Sequence, residues 1–178
     1  NNLYKQILIF TDKSLHTMQY LGPPYTFGVQ MVAENITIRS PNAAVAIEDR
    51  VYWMGATEFM VYTGAVQNLN CTLKEYVFDD INLAQTEKVF AAANTSYGEV
   101  WWFYPSGNSL NIDKYVVYNY EQNIWYHGTL NRSAWVDAGL SDYPIATGND
   151  GRVYFHEFGL DADGEAISSY IESSPLDI

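Results

Sequence analysis

One short stretch near the end of the sequence groups carboxylates with a glycine, Asp161-Ala-Asp163-Gly164-Glu165. Carboxylate oxygens are ligands that Ca²⁺ prefers in proteins. An EF-hand loop carries a further Asp or Asn before its glycine, so Gly164 arrives two positions early for that motif. The favoured interpretation is a solvated β-turn, and the alternative is a Ca²⁺ site formed by Asp161, Asp163 and Glu165.

The histidines and the single cysteine do not form a recognisable reactive site. His16, His127 and His156 lack the i, i+2 or i, i+4 spacing of a local metal site. We interpret them as packed rings with a polar tip. Cys71 has no His or Asn close to it in sequence that would mark it as a nucleophile, and it cannot form a disulfide within this chain.

Paired carboxylates and glycine-rich motifs also give no indication of catalysis. Glu48-Asp49 and Asp79-Asp80 are adjacent in sequence, and neighbouring residues of a strand face opposite sides. The chain has no nucleophile elbow, no P-loop and no dinucleotide-binding glycine pattern. We therefore expect no catalytic residues, no cofactor and no enzymatic activity.

The elements that would position these residues are clearest between Lys88 and His127. Four short runs there are rich in aromatic and β-branched residues, which favour strands. Turn-forming residues separate the runs, so that the stretch predicts an antiparallel meander of four strands. A short helix is predicted over residues 78–88, with Asp79 or Asp80 as its N-cap.

The rest of the chain repeats this pattern imperfectly. An apolar run, a turn and an aromatic run recur at a spacing of roughly 40 to 50 residues, which is typical of β-propeller blades. A β-sandwich is the alternative. We predict one all-β, propeller-like domain over residues 1–178, with three to four antiparallel four-stranded blades from a larger propeller. Its units lie near residues 4–40, 41–78, 88–137 and 143–178.

Three aromatic pairs are expected to occupy equivalent second strands of successive sheets. These pairs are Tyr52-Trp53, Trp101-Trp102 and Tyr154-Phe155. Because adjacent residues of a strand face opposite sides, one member of each pair should face each neighbouring sheet. The sequence Asn149-Asp-Gly151 predicts a tight hairpin turn in the last unit.

Composition excludes several classes of function. The formal net charge is −12 although only 17% of the residues are charged. A basic face for nucleic acid or anionic membrane is therefore not expected. No apolar run approaches the ~18 residues of a membrane-spanning helix.

Several stretches resemble the tail hub, or nozzle, proteins of short-tailed bacteriophages, which include the packaged-DNA-stabilisation proteins. The resemblance covers most of residues 4–178. It rests on the stretches that begin at Arg50, Phe59, Asn119, Val153 and Ala166, and is most specific over residues 148–164. Members of that family are longer than this chain and form a ring below the portal.

The resemblance implies a non-enzymatic virion protein of the phage tail, made in the host cytoplasm, that retains and conducts packaged DNA. It also implies a homo-oligomeric ring and contacts with the portal or adaptor on one side and a tail fibre or spike on the other. We expect no sequence-specific nucleic-acid binding and no membrane contact. Two alternatives are a propeller glycosidase or lyase and a carbohydrate-binding module, which would need convergent carboxylates or a row of exposed aromatics.

Removal of metal ions tests the two interpretations of the carboxylate stretch. If that stretch is a solvated turn, melting temperatures with and without excess EDTA should agree closely. A bound Ca²⁺ would instead stabilise the folded state. A large EDTA-induced drop in melting temperature that is lost in Asp163→Ala would contradict the turn interpretation.

Overall fold

Four antiparallel sheets follow one another along the chain in the computed structural model, which describes residues 6–139, 141–162 and 164–167. The first sheet contains β1 (Gln6–Phe10), β2 (Ser14–Tyr20) and β3 (Phe27–Glu34). The second contains β4 (Ala44–Ile47), β5 (Arg50–Met54), β6 (Phe59–Tyr62) and β7 (Val66–Leu69). The third contains β8 (Phe90–Asn94), β9 (Glu99–Tyr104), β10 (Lys114–Asn119) and β11 (Ile124–Thr129).

The fourth sheet contains β12 (Ala134–Val136), β13 (Ile145–Thr147) and β14 (Val153–Phe155). A two-stranded hairpin, β15 (Asp161–Ala162) and β16 (Glu165–Ala166), follows it. One helix, α1 (Lys74–Phe78), and two 3₁₀ helices, Leu83–Lys88 and Thr95–Tyr97, complete the described elements. The all-β class is thus confirmed, whereas a closed propeller is not seen in this part of the chain.

In every sheet the strands lie side by side in the order in which they occur in the sequence. The predicted meander between Lys88 and His127 is therefore confirmed, and short turns make it possible. At the turn between β8 and β9, Gly98 adopts φ +67°, and a Cβ at this position would meet the side chain of Glu121 at 2.7 Å. The left-handed backbone conformation favours glycine there, and any larger residue would also have to displace the Glu121 side chain.

The sheets stack face to face because alternating residues of their strands enter two different apolar clusters. Trp53 packs against the first sheet, and its neighbour Tyr52 packs against the third. Trp102 likewise faces the second sheet, while Trp101 faces the fourth. The predicted division of each aromatic pair between two neighbouring sheets is confirmed for these two strands.

The tryptophans of this stack also tie the sheets together through their indole N–H groups. Burial of an indole favours a hydrogen-bond partner for its one donor. In four of the five tryptophans the acceptor is a backbone carbonyl at the contact with a preceding part of the chain: Trp53 to Thr37 (3.2 Å), Trp102 to Ala43 (3.2 Å), Trp125 to Asn70 (3.0 Å) and Trp135 to Ala93 (2.9 Å).

The first strands of the second, third and fourth sheets lie next to one another. Strand β4 contacts β8, and β8 contacts β12. A backbone hydrogen bond of 2.8 Å from Ala91 N to Asn42 O joins the first two. These strands are rich in alanine, and small side chains allow the backbones to approach closely where the sheets converge.

The boundary between the third and fourth units was predicted wrongly. Ala134–Val136 forms the first strand of the fourth sheet rather than an addition to the unit at 88–137. As a result Tyr154 and Phe155 lie in the third strand of their sheet, not the second. The physical reason is Trp135, whose ring stacks on Trp101 at 5.4 Å and so holds β12 against the third sheet. The hairpin at residues 149–151 is confirmed and joins β13 to β14.

The predicted helix over residues 78–88 is also corrected. The α-helix ends at Phe78, and a 3₁₀ helix begins only at Leu83. Its N-cap is Asn82, whose Oδ1 accepts from Ala84 N at 3.0 Å. Asp80 instead accepts from Lys114 Nζ at 2.9 Å, an ion pair that holds the segment against β10.

We expect Trp102→Ala to lower the free energy of unfolding by about 3–5 kcal/mol, because the substitution removes a fully buried ring and leaves a cavity. Urea unfolding followed by circular dichroism measures this change. Tyr25→Ala is the matched control, since Tyr25 is 71% exposed, and should change the stability by less than about 0.5 kcal/mol. Equal effects of the two substitutions would contradict the stacking described here.

Candidate functional site at the ends of the inner strands

Two clefts lie at opposite ends of β4, β8 and β12. The first, of about 630 Å³, is lined by Ile47 at the end of β4, Thr95 just after β8 and Asp137 just after β12. The second, of about 330 Å³, is lined by residues at the beginnings of these strands: Asn42, Phe90 and Ser133. We call β4, β8 and β12 the inner strands. Their C-terminal ends all meet at the first cleft and their N-terminal ends at the second, so the three strands run in the same direction. We call these the C-terminal cleft and the N-terminal cleft.

The C-terminal cleft is acidic. Its lining contains the carboxylates of Glu48, Glu121 and Asp137, and Arg50 is its one cationic side chain. Asp137 is held in place because its carboxylate accepts from the backbone N–H of Thr95 at 3.2 Å and from the Thr95 hydroxyl at 2.7 Å. Carboxylates concentrated at a mouth repel anions and attract cations.

Aromatic rings form one wall of the C-terminal cleft. Tyr52 and Tyr120 stack with ring centroids 6.0 Å apart. Glu48 has a positive φ of +54° in the tight turn between β4 and β5, and this turn brings it to the mouth. The site therefore combines negative charge with flat phenol rings.

A second group of carboxylates lies between the third and fourth sheets and has one buried member, Glu99, and one exposed member, Glu157. Glu99 is only 8% exposed. Its Oε2 accepts from Trp101 Nε1 at 2.8 Å and from Asn94 Nδ2 at 3.2 Å, and its Oε1 accepts from the Tyr126 hydroxyl. Asn94 Nδ2 also donates to Glu157 Oε1 at 3.3 Å. One amide thus bridges the two carboxylates.

The environment of this network raises the pKa values of Glu157 and of Tyr126. Partial burial raises the pKa of Glu157, and the neighbouring charge of Glu99 raises it further. Burial likewise raises the pKa of Tyr126, with the hydrogen bond to Glu99 as a second cause. The Tyr126 hydroxyl therefore stays protonated and donates a hydrogen bond to Glu99. Both carboxylate oxygens of Glu99 thus accept hydrogen bonds from side chains of the protein.

Sequence reasoning did not find that Glu99 and Glu157 lie close together, joined by Asn94. The sequence does indicate where Glu99 faces: it lies two residues before Trp101, so the two side chains share one face of β9. Nothing in the sequence, however, places Glu157 beside Asn94, which lies 63 residues earlier. Glu99 lines neither the C-terminal nor the N-terminal cleft.

The predicted Ca²⁺ candidate lies in the terminal hairpin. Asp161 begins β15 and Glu165 begins β16, and both are exposed. Asp161 Oδ1 accepts from Gly164 N at 2.9 Å, so this carboxylate closes the turn. Asp163 lies outside the described residues. Among residues 6–139, 141–162 and 164–167, no three His, Cys, Asp or Glu side chains form a group that could hold a metal ion.

The three histidines are not brought together. His16 lies in β2 and contacts the Ser14 hydroxyl at 2.9 Å, and the ring of His127 in β11 lies 4.2 Å from that of Tyr76. His156 follows β14 and accepts from Arg132 Nε at 2.9 Å. Burial and the Arg132 charge lower the pKa of His156 to about 4, so it is neutral at pH 7.

Cys71 is half-buried and follows the outer strand of the second sheet. Burial raises the pKa of its thiol to about 11. The thiol is therefore protonated at neutral pH, whereas a reactive cysteine needs a lowered pKa. This environment supports the structural interpretation of Cys71.

Comparison of the sequence with models of protein families gives no match, and comparison with curated proteins gives no significant match either. None of the helices in the described ranges is long and apolar enough to cross a membrane.

Replacing Glu157 by Gln should raise the melting temperature at pH 7 to 8. The raised pKa means that the folded state binds this proton more tightly than the unfolded state does. Stability is therefore lost as the pH rises from the ordinary pKa of a glutamate through the raised one, and Gln removes this loss.

Thermal melts of wild type and Glu157→Gln between pH 4 and pH 8 measure the effect, and the difference should shrink towards pH 4. Glu34→Gln, at an exposed glutamate in β3, is the control and should follow the wild type. A Glu157→Gln melting temperature that stays below that of the wild type at pH 8 would contradict this account.

Proposed function

We propose that this chain is a non-enzymatic structural part of a phage tail hub or nozzle, and that its sheets are blades of a β-propeller. The observation that carries the proposal is the arrangement of β4, β8 and β12. These strands run in the same direction side by side, and a cleft opens at each end of them. The inner strands of propeller blades lie around the central axis in a similar way, and this similarity supports the proposal.

The packing between sheets supports the propeller. The second and third sheets each present one face to the preceding sheet and the other to the following one, and three separate apolar clusters join the four sheets. The inner strands β4 and β8 are rich in alanine, whereas the wide rings of Trp53, Trp101 and Trp102 lie in the next strands, β5 and β9. Such a taper is what a radial arrangement of blades needs, because the space between blades widens outward.

Electrostatics support a passage for DNA more than a DNA-binding face. The formal net charge of the chain is −12, and three carboxylates surround the C-terminal cleft. Each Lys or Arg contact to a phosphate adds affinity by releasing counterions. An acidic mouth forms few such contacts, so DNA would slide past it with little retention.

The surroundings of Glu99 support a structural role over a glycosidase or lyase. Glu157 is exposed and lines a cleft, but Glu99 is buried and its oxygens accept from Trp101, Asn94 and Tyr126. A glycosidase needs two carboxylates that face the substrate across an open cleft. Glu99 instead stabilises the contact between the third and fourth sheets.

In this proposal the protein is made in the host cytoplasm and becomes part of the virion tail. A homo-oligomeric ring would place the acidic mouths of its copies around the path of the DNA. Its partners would be the portal or adaptor on one side and a tail fibre or spike on the other.

A gel-shift experiment with double-stranded DNA at roughly 50 mM salt should show no complex, because attraction between a basic protein and DNA is strong in this range and this chain is acidic. The double variant Glu48→Lys/Glu121→Lys replaces two negative charges of the C-terminal cleft by positive ones. It tests whether the charge of this cleft is what prevents DNA binding. It should retard DNA more than wild type does.

The partner prediction is tested with phage particles that carry a portal but lack a tail. The full-length protein should band with these particles on a density gradient. Tight DNA binding by the wild type, together with no association with particles, would overturn the tail-hub proposal.

A further inference from the structure

The first sheet exposes an apolar face at one end of the stack. Its side chains come from alternating positions of all three strands: Ile7, Ile9, Met18, Tyr20, Phe27, Val29 and Met31. The strand register sets Ile7, Met18 and Val29 in one row across the sheet. Val29 is 61% exposed. We call this set of residues the first-sheet face.

The other side of the first sheet packs against the second sheet. Leu8, Phe10 and Leu15 alternate with the residues of the first-sheet face and pack against the second sheet. The ring of Phe10 meets that of Trp53 edge-on, with centroids 5.2 Å apart. The first sheet is thus apolar on both sides, and within residues 6–139, 141–162 and 164–167 only one side packs against another sheet.

The fourth sheet presents a corresponding face at the opposite end of the stack. Val136, Ile145 and Phe155 form one row of it, and Val153 and Phe158 extend it. Phe155 is 59% exposed. The opposite side of this sheet carries Trp135 and faces the third sheet. We call the exposed set the fourth-sheet face.

We propose that the first-sheet face of one copy of this chain packs against the fourth-sheet face of a second copy. The three contacts inside the chain all join a sheet to the next one in the same order, face to face. Continuing that order beyond the first sheet requires a surface like the fourth-sheet face. Exposed apolar patches of this kind mark sites of interaction.

Charge also favours a second copy at these two surfaces. Two chains that each carry a formal charge of −12 repel each other. None of the residues named for the two faces is charged, and the side chain between Ile9 and Met31 in the strand register is that of His16. The copies can therefore approach there with the least repulsion, and burial of apolar side chains drives the contact.

The composition of the fourth-sheet face argues against a sugar as its occupant. Its row consists of Val136, Ile145 and Phe155, which have no side-chain hydrogen-bonding groups. A sugar site combines aromatic rings with convergent polar groups. Apolar rows of this kind instead match the inner faces of packed sheets.

The contact is head-to-tail, because it joins two different surfaces. Such contacts form a ring when the rotation between copies closes and an open filament when it does not. Each copy contributes four sheets, and two copies bring the total to about eight, the upper end of the usual range for propellers. We therefore assign a closed pair of copies. This assignment does not depend on the tail-hub proposal and can fail independently of it.

Sedimentation velocity over a range of protein concentrations tests the assignment. The wild type should sediment as a dimer. Val29→Glu and Phe155→Glu should each shift the population to monomer, because each buries a charge in one face of the contact. Leu83→Glu is the control, since this exposed leucine lies on a 3₁₀ helix outside both faces, and it should remain dimeric.

Mixing the two variants provides the decisive measurement. Val29→Glu keeps an intact fourth-sheet face, and Phe155→Glu keeps an intact first-sheet face. An equimolar mixture should therefore form a dimer that contains one of each variant. Met31→Glu and Val153→Glu form a second pair for the same experiment if either first variant fails the circular dichroism test of folding.

Three results would overturn the proposal. A wild type that is monomeric at all concentrations would show that no second copy covers these faces. A Phe155→Glu variant that stays dimeric would indicate a symmetric contact between two first-sheet faces. A mixture of the two folded variants that stays monomeric would exclude the head-to-tail contact.

Discussion

Burial of tryptophan between successive sheets is the interaction on which the rest of this structure depends. An indole is large enough to bridge two sheets, but its N–H must find an acceptor when water is excluded. Trp102 and Trp135 meet this requirement with the carbonyls of Ala43 and Ala93, which lie at or in the inner strand of the preceding sheet. Each hydrogen bond therefore fixes the position of one sheet against the next.

This constraint explains the arrangement of charged groups as well. Because the indoles anchor each sheet to the inner strand of its predecessor, β4, β8 and β12 lie in parallel, and the turns that follow them meet at one mouth. Glu48, Glu121 and Asp137 come from three separate parts of the chain and gather there. Their shared negative potential is thus a consequence of sheet packing, and it supports the proposed acidic passage for DNA.

Glu99 shows how a polar group can serve the same packing. A buried carboxylate is costly unless hydrogen bonds satisfy it. Here Trp101, Asn94 and Tyr126 supply donors from three strands of the third sheet, and Asn94 extends the network to Glu157 beyond the fourth. A residue type that elsewhere performs acid–base catalysis thereby becomes part of the contact between two sheets.

The sequence by itself determined the features that depend on neighbouring residues. Alternation along a strand predicted that Trp101 and Trp102 would face different sheets, and turn chemistry predicted the hairpin at residues 149–151. Only the tertiary structure decided which sheet contains Ala134–Val136 and that Glu157 meets Asn94. The physical reason is that periodicity and turns are local properties, whereas these two outcomes depend on contacts between residues far apart in the chain, such as the stacking of Trp135 on Trp101.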